Sequence, residues 1–404
     1  MRLRRTINNA CADLLSERFR GGDVAVNEAH KRQLRRGHLE KVVMRVQSRL
    51  AYGLRFTAAL SALIVCGGLS PSRADDPGDF QGAYGARPSF GSIATGFELA
   101  ALLPPGMQKP VHIAGPPRAF MSPAVAAIGQ KRFFSDANNG AVLIYNAAGA
   151  LVGTVTGFGS PEGLATDKAG RLYVTDEAYS QVDVFAPPYN GTPTYLSDSG
   201  QSPVSTAVDG AGNVAVTNID SKSFGAGSVS FYAAGATTPT STITSSAFAQ
   251  ILFCAFDAHG NLYLDGTDLY SNAVLGEIVG GIKGRAIRKL TTGNALGFPT
   301  GVGVTPGGLI AIEDEQQRTI YSYNSPRGDA LGSPVSTTVL QNTMEPITFA
   351  FGPRAAFVVT VDADLGSTNQ YTFPAGGAPT GTIMFAPHDS PYPVGVAVTP
   401  TESY

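Results

Sequence analysis

At 404 residues the chain could hold one large or two ordinary domains, and its 48 Gly and 27 Pro, with no Trp, favour many tight turns over long helices. The net charge of −2 averages two unlike segments: residues 1–74 carry 14 Lys/Arg against 5 Asp/Glu, and residues 75–404 carry 15 against 26. The acidic larger segment excludes nucleic acid as a partner, because phosphate would be repelled.

From Met44 the chain has the three parts of a secretory signal peptide. Arg45, Arg49 and Arg55 form a basic region, residues 56–69 an apolar one, and Ser72-Arg73-Ala74 places small residues where a signal peptidase reads. The apolar stretch is short for a membrane span. Export to the periplasm or exterior is expected, with cleavage near Ala74. Residues 1–43 are a basic extension with two readings. Either translation starts at Met44, or they lengthen the basic region of an uncleaved anchor. Cys66 in LIVC is a weak lipoprotein-like site, because Val65 stands where a small residue belongs. Membrane contact is expected only through that site or an uncleaved signal. Cys11 and Cys66 lie upstream of the cut, so Cys254 stands alone afterwards and no internal disulfide can form. Within ILFCAF it reads as a small buried apolar residue rather than a catalytic thiol.

Residues 75–94 are a Gly-rich linker or cap. From residue 95 onward a repeat takes over. Its clearest copies lie in residues 161–243, where PEGLATD, RLYVTD, VDVFA and TPTYL are followed by PVSTAVD, NVAVTN, VSFYA and TPTSTI. Each copy holds four short β-rich runs bounded by turn residues, which predicts one four-stranded antiparallel blade. The first run recurs at residues 123, 161, 203, 251, 299, 346 and 393. In the copy that begins at Ile251, IRKL reads as a weak third strand and residues 267–283 as a long insert. The last start stops short at Tyr404, and residues 97–103 and 109–114 (FELAALL, KPVHIA) could supply its missing half. The expected fold is an all-β propeller of seven blades, one split between the termini; the alternative is six blades with the C-terminal strand used otherwise.

The pattern P-x-G-[LV]-A-x-D, then G-x-[LI]-Y-V-x-D, then V-x-V-[FY] resembles NHL-type repeats and the wider group of secreted bacterial propellers, including gluconolactonase-like and virginiamycin B lyase-like proteins. The resemblance covers roughly residues 95–404 and implies a ring with a central channel and a binding surface on one face. Gluconolactonase-like enzymes hold a divalent metal at the channel mouth with an acidic residue and Asn/Asp. Glu162, Asn218 and Asp362 could be forced into those roles, but their surroundings do not match. Lyase-like members use a His-containing site. Only His112, His259 and His388 follow the predicted cut, and His259 in DAHGN reads as an exposed turn residue.

Two rings of polar residues stand out. The second strands end in Asp136, Asp176, Asn218, Asp265, Asp314 and Asp362, which the repeat places on one face. Such a ring could hold Ca²⁺ or another divalent cation, or each residue could close its own turn by accepting backbone N–H groups. Asp167, Asp209 and Asp257 belong to the opposite face as turn residues. The second ring lies at the start of each inner strand: Glu162, Gln201, Gln250, Phe298, Glu345 and Tyr392. These differ between copies, as a specific ligand would require, and Phe298 and Tyr392 could form an apolar wall. Glu313-Asp314-Glu315 reads as a solvated loop of like charges. No nucleophile elbow, phosphate loop, paired Cys/His spacing or dinucleotide fingerprint occurs, and no catalytic set is assigned. The expected function is an exported monomeric binding or interaction module for a protein, glycan or small molecule. The alternative is a metal-assisted, lactonase-like hydrolase or lyase at the channel mouth.

Overall fold

Short apolar runs such as LYVTD and IAIED are broken every few residues by Asp- and Gly-containing turns, so the chain builds strands too short for anything but small sheets. The computed structural model describes residues 119–121, 129–221, 225–385 and 391–399, all within the unit Phe80–Tyr404, one of two into which the chain divides. The signal segment, residues 1–43 and 75–94, and the runs at 97–103 and 109–114 lie outside the described residues. So do Cys11, Cys66, His112, His388 and most of the inner strand expected at residue 123.

The strands fall into six sheets. The first sheet begins with β1 (Ala119–Met121), β2 (Lys131–Asp136), β3 (Ala141–Asn146) and β4 (Leu151–Thr156). The second holds β5 (Pro161–Thr166), β6 (Leu172–Asp176), β7 (Gln181–Phe185) and β8 (Thr194–Ser197). The third holds β9 (Gln201–Val208), β10 (Val214–Ser221), β11 (Ser228–Tyr232) and β12 (Ser241–Thr244). In the fourth are β13 (Gln250–Phe256), β14 (Leu262–Thr267), β15 (Ala273–Ile278) and β16 (Arg288–Thr292). Next come β17 (Pro299–Val304), β18 (Ile310–Asp314), β19 (Thr319–Tyr323), β20 (Ala330–Gly332) and β21 (Ser336–Val339). The sixth holds β22 (Pro346–Phe351), β23 (Phe357–Asp362), β24 (Ser367–Thr372) and β25 (Gly381–Met384), and β26 (Pro393–Val398) follows. Pairing within each blade is antiparallel; β20 alone adds in parallel, to the outer edge of β16.

β26 closes the ring. It does not start a seventh blade but pairs with β2 as the inner strand of the first, in the register Arg132↔Val398 and Phe134↔Val396. The inner strands then adjoin in the order β26, β5, β9, β13, β17, β22 and back to β26. The fold is the all-β propeller in its six-bladed form. The tight pairing of Gly395 explains why a strand from the far end of the chain fits there. A Cβ on that residue would lie 2.2 Å from the Glu162 carbonyl oxygen, so the two inner strands meet backbone to backbone. In blade four the expected insert is regular structure. AVLGEI is the third strand, β15, and RKLTT is the fourth.

Blades bury apolar side chains against their neighbours. Phe134, Tyr145 and Phe385 stack where the sixth blade meets the first, with ring centroids 5.4–6.1 Å apart. Phe133 meets Tyr189 edge-on at 5.0 Å across the next seam. Both phenylalanines are fully buried, and truncating either to Ala is expected to cost about 3–5 kcal/mol. Among the described residues, no helix is long and apolar enough to cross a membrane.

Candidate functional site

The strand registers put both polar rings on one face. Pro161 pairs with Asp176, Pro203 with Asn218, Pro299 with Asp314, Pro346 with Asp362 and Pro393 with Asp136. The start of each inner strand therefore lies beside the end of the second strand. The turns of Asp167, Asp209 and Asp257 fall at the other end of the same strands. Each accepts two backbone N–H bonds within its own turn, for example from Ala211 and Asn213 at 2.9 and 2.8 Å. His259 sits exposed in the third of these turns.

Four strand-end carboxylates act as clamps. Asp176 accepts the N–H groups of Gly159 (2.8 Å) and Ser160 (3.0 Å) from the loop that leads into its own blade. Asp314 accepts Gly297 and Gln317 N–H, and Asp362 accepts Met344 and Leu365 N–H together with the Thr343 hydroxyl at 2.6 Å. Asp136 takes Tyr392 N–H at 3.1 Å and the side chain of Asn139, so the clamp also pins the closing strand. Asn218 differs: its amide donates to Ser228 and Ser230, and its Oδ1 has no partner. These oxygens point into their own loops, and among the described residues no group of three His, Cys, Asp or Glu is placed to hold a metal ion.

Asp265 does not belong to this ring. Gly266 occupies the clamp position of blade four, paired with Ile251, and a Cβ there would lie 2.0 Å from the Gln250 carbonyl oxygen. Asp265 is on the opposite side of β14, in register with Ser135, Thr175, Thr217 and Glu313 of the other blades. The hydroxyls in this second series reach the next blade's inner strand: Ser135 donates to Glu162 O at 2.6 Å, Thr175 to Val204 O at 3.3 Å, and Thr217 to Leu252 O. Asp265 accepts Phe253 N–H at 2.7 Å, but its Oδ2 has no partner, and burial pushes its carboxyl up to about 7. Glu313 has no partner on either oxygen and no solvent exposure. Burial first, then the charge of Asp265, raises it well above the carboxylate range. The triplet Glu313-Asp314-Glu315 is thus buried rather than solvated.

At the axis the six inner strands leave a cavity of about 50 Å³, to which Leu164, Thr206, Phe253, Val302, Phe349 and Val396 each contribute from one strand. That volume has room for a few waters. Cys254 borders it, buried, with its thiol pushed up by burial and by Asp265.

The mouth above the axis is acidic. Glu162 and Glu345 lie near enough to Tyr392 for their charges to act on it. The Tyr392 hydroxyl is enclosed without a hydrogen-bond partner. Burial raises it first, followed by the charges of Glu345, Glu162, Glu315 and Asp364, carboxylates from three different blades. Glu162 accepts the Ser160 hydroxyl at 3.0 Å and is itself raised well above its ordinary value by burial, then by Glu177 and Asp176. Gln201 and Gln250 are tied back to their own blades, Gln201 Oε1 accepting Ser228 Oγ and Gln250 Oε1 accepting Thr267 Oγ1, both at 3.1 Å. Phe298 is not a wall of the mouth: it is 3 % exposed and packs into the core. The sequence reading singles out neither Glu177 nor Asp364, and it places Glu315 in a solvated loop. Their signal was an acidic residue one or two positions after a clamp Asp.

No protein-family model matches the chain, and no curated protein matches it. Solved structures do. A chain in a nidogen/laminin complex is 17 % identical with a TM-score of 0.54, covering 68 % of this chain and 100 % of its own. A protein of unknown function from Bacteroides caccae is 10 % identical with a TM-score of 0.52, covering 67 % and 99 %. At these identities the likeness establishes the fold alone: the chain is a β-propeller.

Proposed function

We propose that the protein is an exported binding module that receives a cationic group, such as a Lys or Arg side chain of a protein partner, at the acidic mouth. One observation carries this: carboxylates from three blades gather around the enclosed Tyr392 hydroxyl. Their mutual repulsion and desolvation are relieved by a cation and worsened by an anion. The rigid ring holds them in place without a ligand, which lowers the ordering cost of binding. Export rests on the signal-like segment at residues 44–74, and the similar fold within a nidogen/laminin complex agrees with a partner-binding role.

The test is a titration of the purified chain with fluorescent tetralysine and tetraglutamate peptides. Tetralysine is expected to bind, and to bind more tightly as pH rises and Glu162 gives up its proton. Glu162→Gln should weaken it and flatten that pH dependence. Equal binding of the two peptides, or an unchanged Glu162→Gln protein, would overturn the reading.

A further inference from the structure

Beyond the aromatic packing of Phe134, Tyr145 and Phe385, the seam between the sixth and first blades opens into a groove. It measures about 310 Å³ and is bounded by Arg132 on β2, the turn at Gly149, Gln370 on β24 and residues 380–383 at β25. By strand register it sits toward the face opposite the mouth, since Arg132 pairs with Val398 at the far end of β26. Its volume is in the range of small-molecule sites.

The groove's charge is uncompensated. Arg132 Nη2 donates to the neutral Gln370 Oε1 at 2.7 Å, and the guanidinium lies 5.4 Å over the Phe357 ring. Its Nε has no acceptor, no ion pair among the described residues involves it, and no residue lining the groove carries a carboxylate. Burial already works against its charge. A half-buried guanidinium in a cleft, with donors left over and no counter-ion, is built for a carboxylate or phosphate.

The surrounding hydroxyls narrow the class. Thr368 donates to Thr360 O, Thr380 to Gln370 O and Thr382 to Asn369 Oδ1. Their protons are committed, so what they offer a ligand is lone pairs. A ligand that fits must bring an anionic head for Arg132 and hydroxyl donors for Thr380 and Thr382, which are exposed at the rim. We propose that this groove binds a small polyhydroxylated carboxylate, a sugar acid, with its carboxylate at Arg132 and its hydroxyls along the β25 edge.

The experiment is calorimetric titration of the full chain with glucuronate, its neutral isostere glucuronamide, acetate and inorganic phosphate. Glucuronate should bind at least about tenfold more tightly than the other three, the usual scale for losing a charge-assisted pair or a hydrogen-bonding edge. Arg132→Met should reduce glucuronate affinity by at least about the same factor. Thr382→Val, at an exposed edge where the fold is not at risk, should weaken glucuronate but not acetate. No glucuronate binding at millimolar concentration overturns the proposal. So does equal binding of glucuronamide, which removes the charge argument, or of acetate or phosphate, which removes the sugar. An Arg132→Met protein that fails to fold leaves the isostere comparison and Thr382→Val to decide. The acidic mouth is on the other face, so failure here leaves the tetralysine result intact, and the reverse.

Discussion

Asp314 and Glu313 are neighbours on one strand, both without solvent exposure, and they live in opposite circumstances. Asp314 belongs to the clamp series, where Asp recurs in four blades and its oxygens are filled by loop N–H groups. Glu313 belongs to the series on the other side of the strand, where Ser and Thr staple blades together, Asp265 is half satisfied and Glu313 not at all. The difference teaches that a carboxylate repeated around a ring is structural, whereas one that appears once in a hydroxyl series carries an unrelieved desolvation cost.

Four substitutions press on that contrast. Moving a clamp into blade four, Gly266→Asp, should be the most damaging, at more than about 3 kcal/mol, because its Cβ would strike the Gln250 carbonyl. Urea denaturation that leaves the midpoint near wild type would break the assignment of Gly266 to that ring. Asp362→Ala strands three loop N–H groups and the Thr343 hydroxyl, and should lose about 2–3 kcal/mol by the same measurement. Glu313→Met should move the other way. It replaces two orphaned oxygens with an apolar chain of similar size, so the unfolding free energy should rise by about 1–2 kcal/mol. A loss instead would mean that the carboxyl has a partner it needs.

The smallest effect is in a slope. The folded state holds the Asp265 proton up to about pH 7, while an ordinary Asp releases it near 3.8. Between those values the native chain binds more protons than the unfolded one, so this group's contribution to stability is full below the lower value and is lost as pH rises through the upper. Asp265→Asn should flatten the stability curve across that window. Parallel curves for the two proteins from pH 4 to 8 would show that Asp265 titrates normally.

Much of the architecture was legible because several blades repeat their turn chemistry. The Asp at 167, 209 and 257 fixes one end of the hairpin, and the clamp Asp fixes the other. Blade four shows where residue type misleads. Matching Asp265 to Asp314 by identity puts it in the wrong ring, yet counting five residues from Asn213 to Asn218, and from Asn261 onward, lands on Gly266. The period of a strand is two, so a slip of one residue changes the face. At the mouth, Glu162 and Glu345 lie near enough to Tyr392 for their charges to act on it, but Phe298 turns into the core because a buried ring there stabilises more than an exposed one. The Arg132 groove was not legible at all, since it is made by segments more than two hundred residues apart that only ring closure brings together.

That closure also sets a timetable. Ser135 receives the Gly395 N–H across 260 residues, so β2 is synthesised long before its inner partner exists. At about 5–20 residues per second the wait is roughly 13–50 s. Through that interval Phe134 lacks Phe385 and the edge of β2 lacks its partner strand, so the first blade keeps a sticky edge. A ring fastened this way closes only when its final strand arrives, and its first blade is the last to be completed.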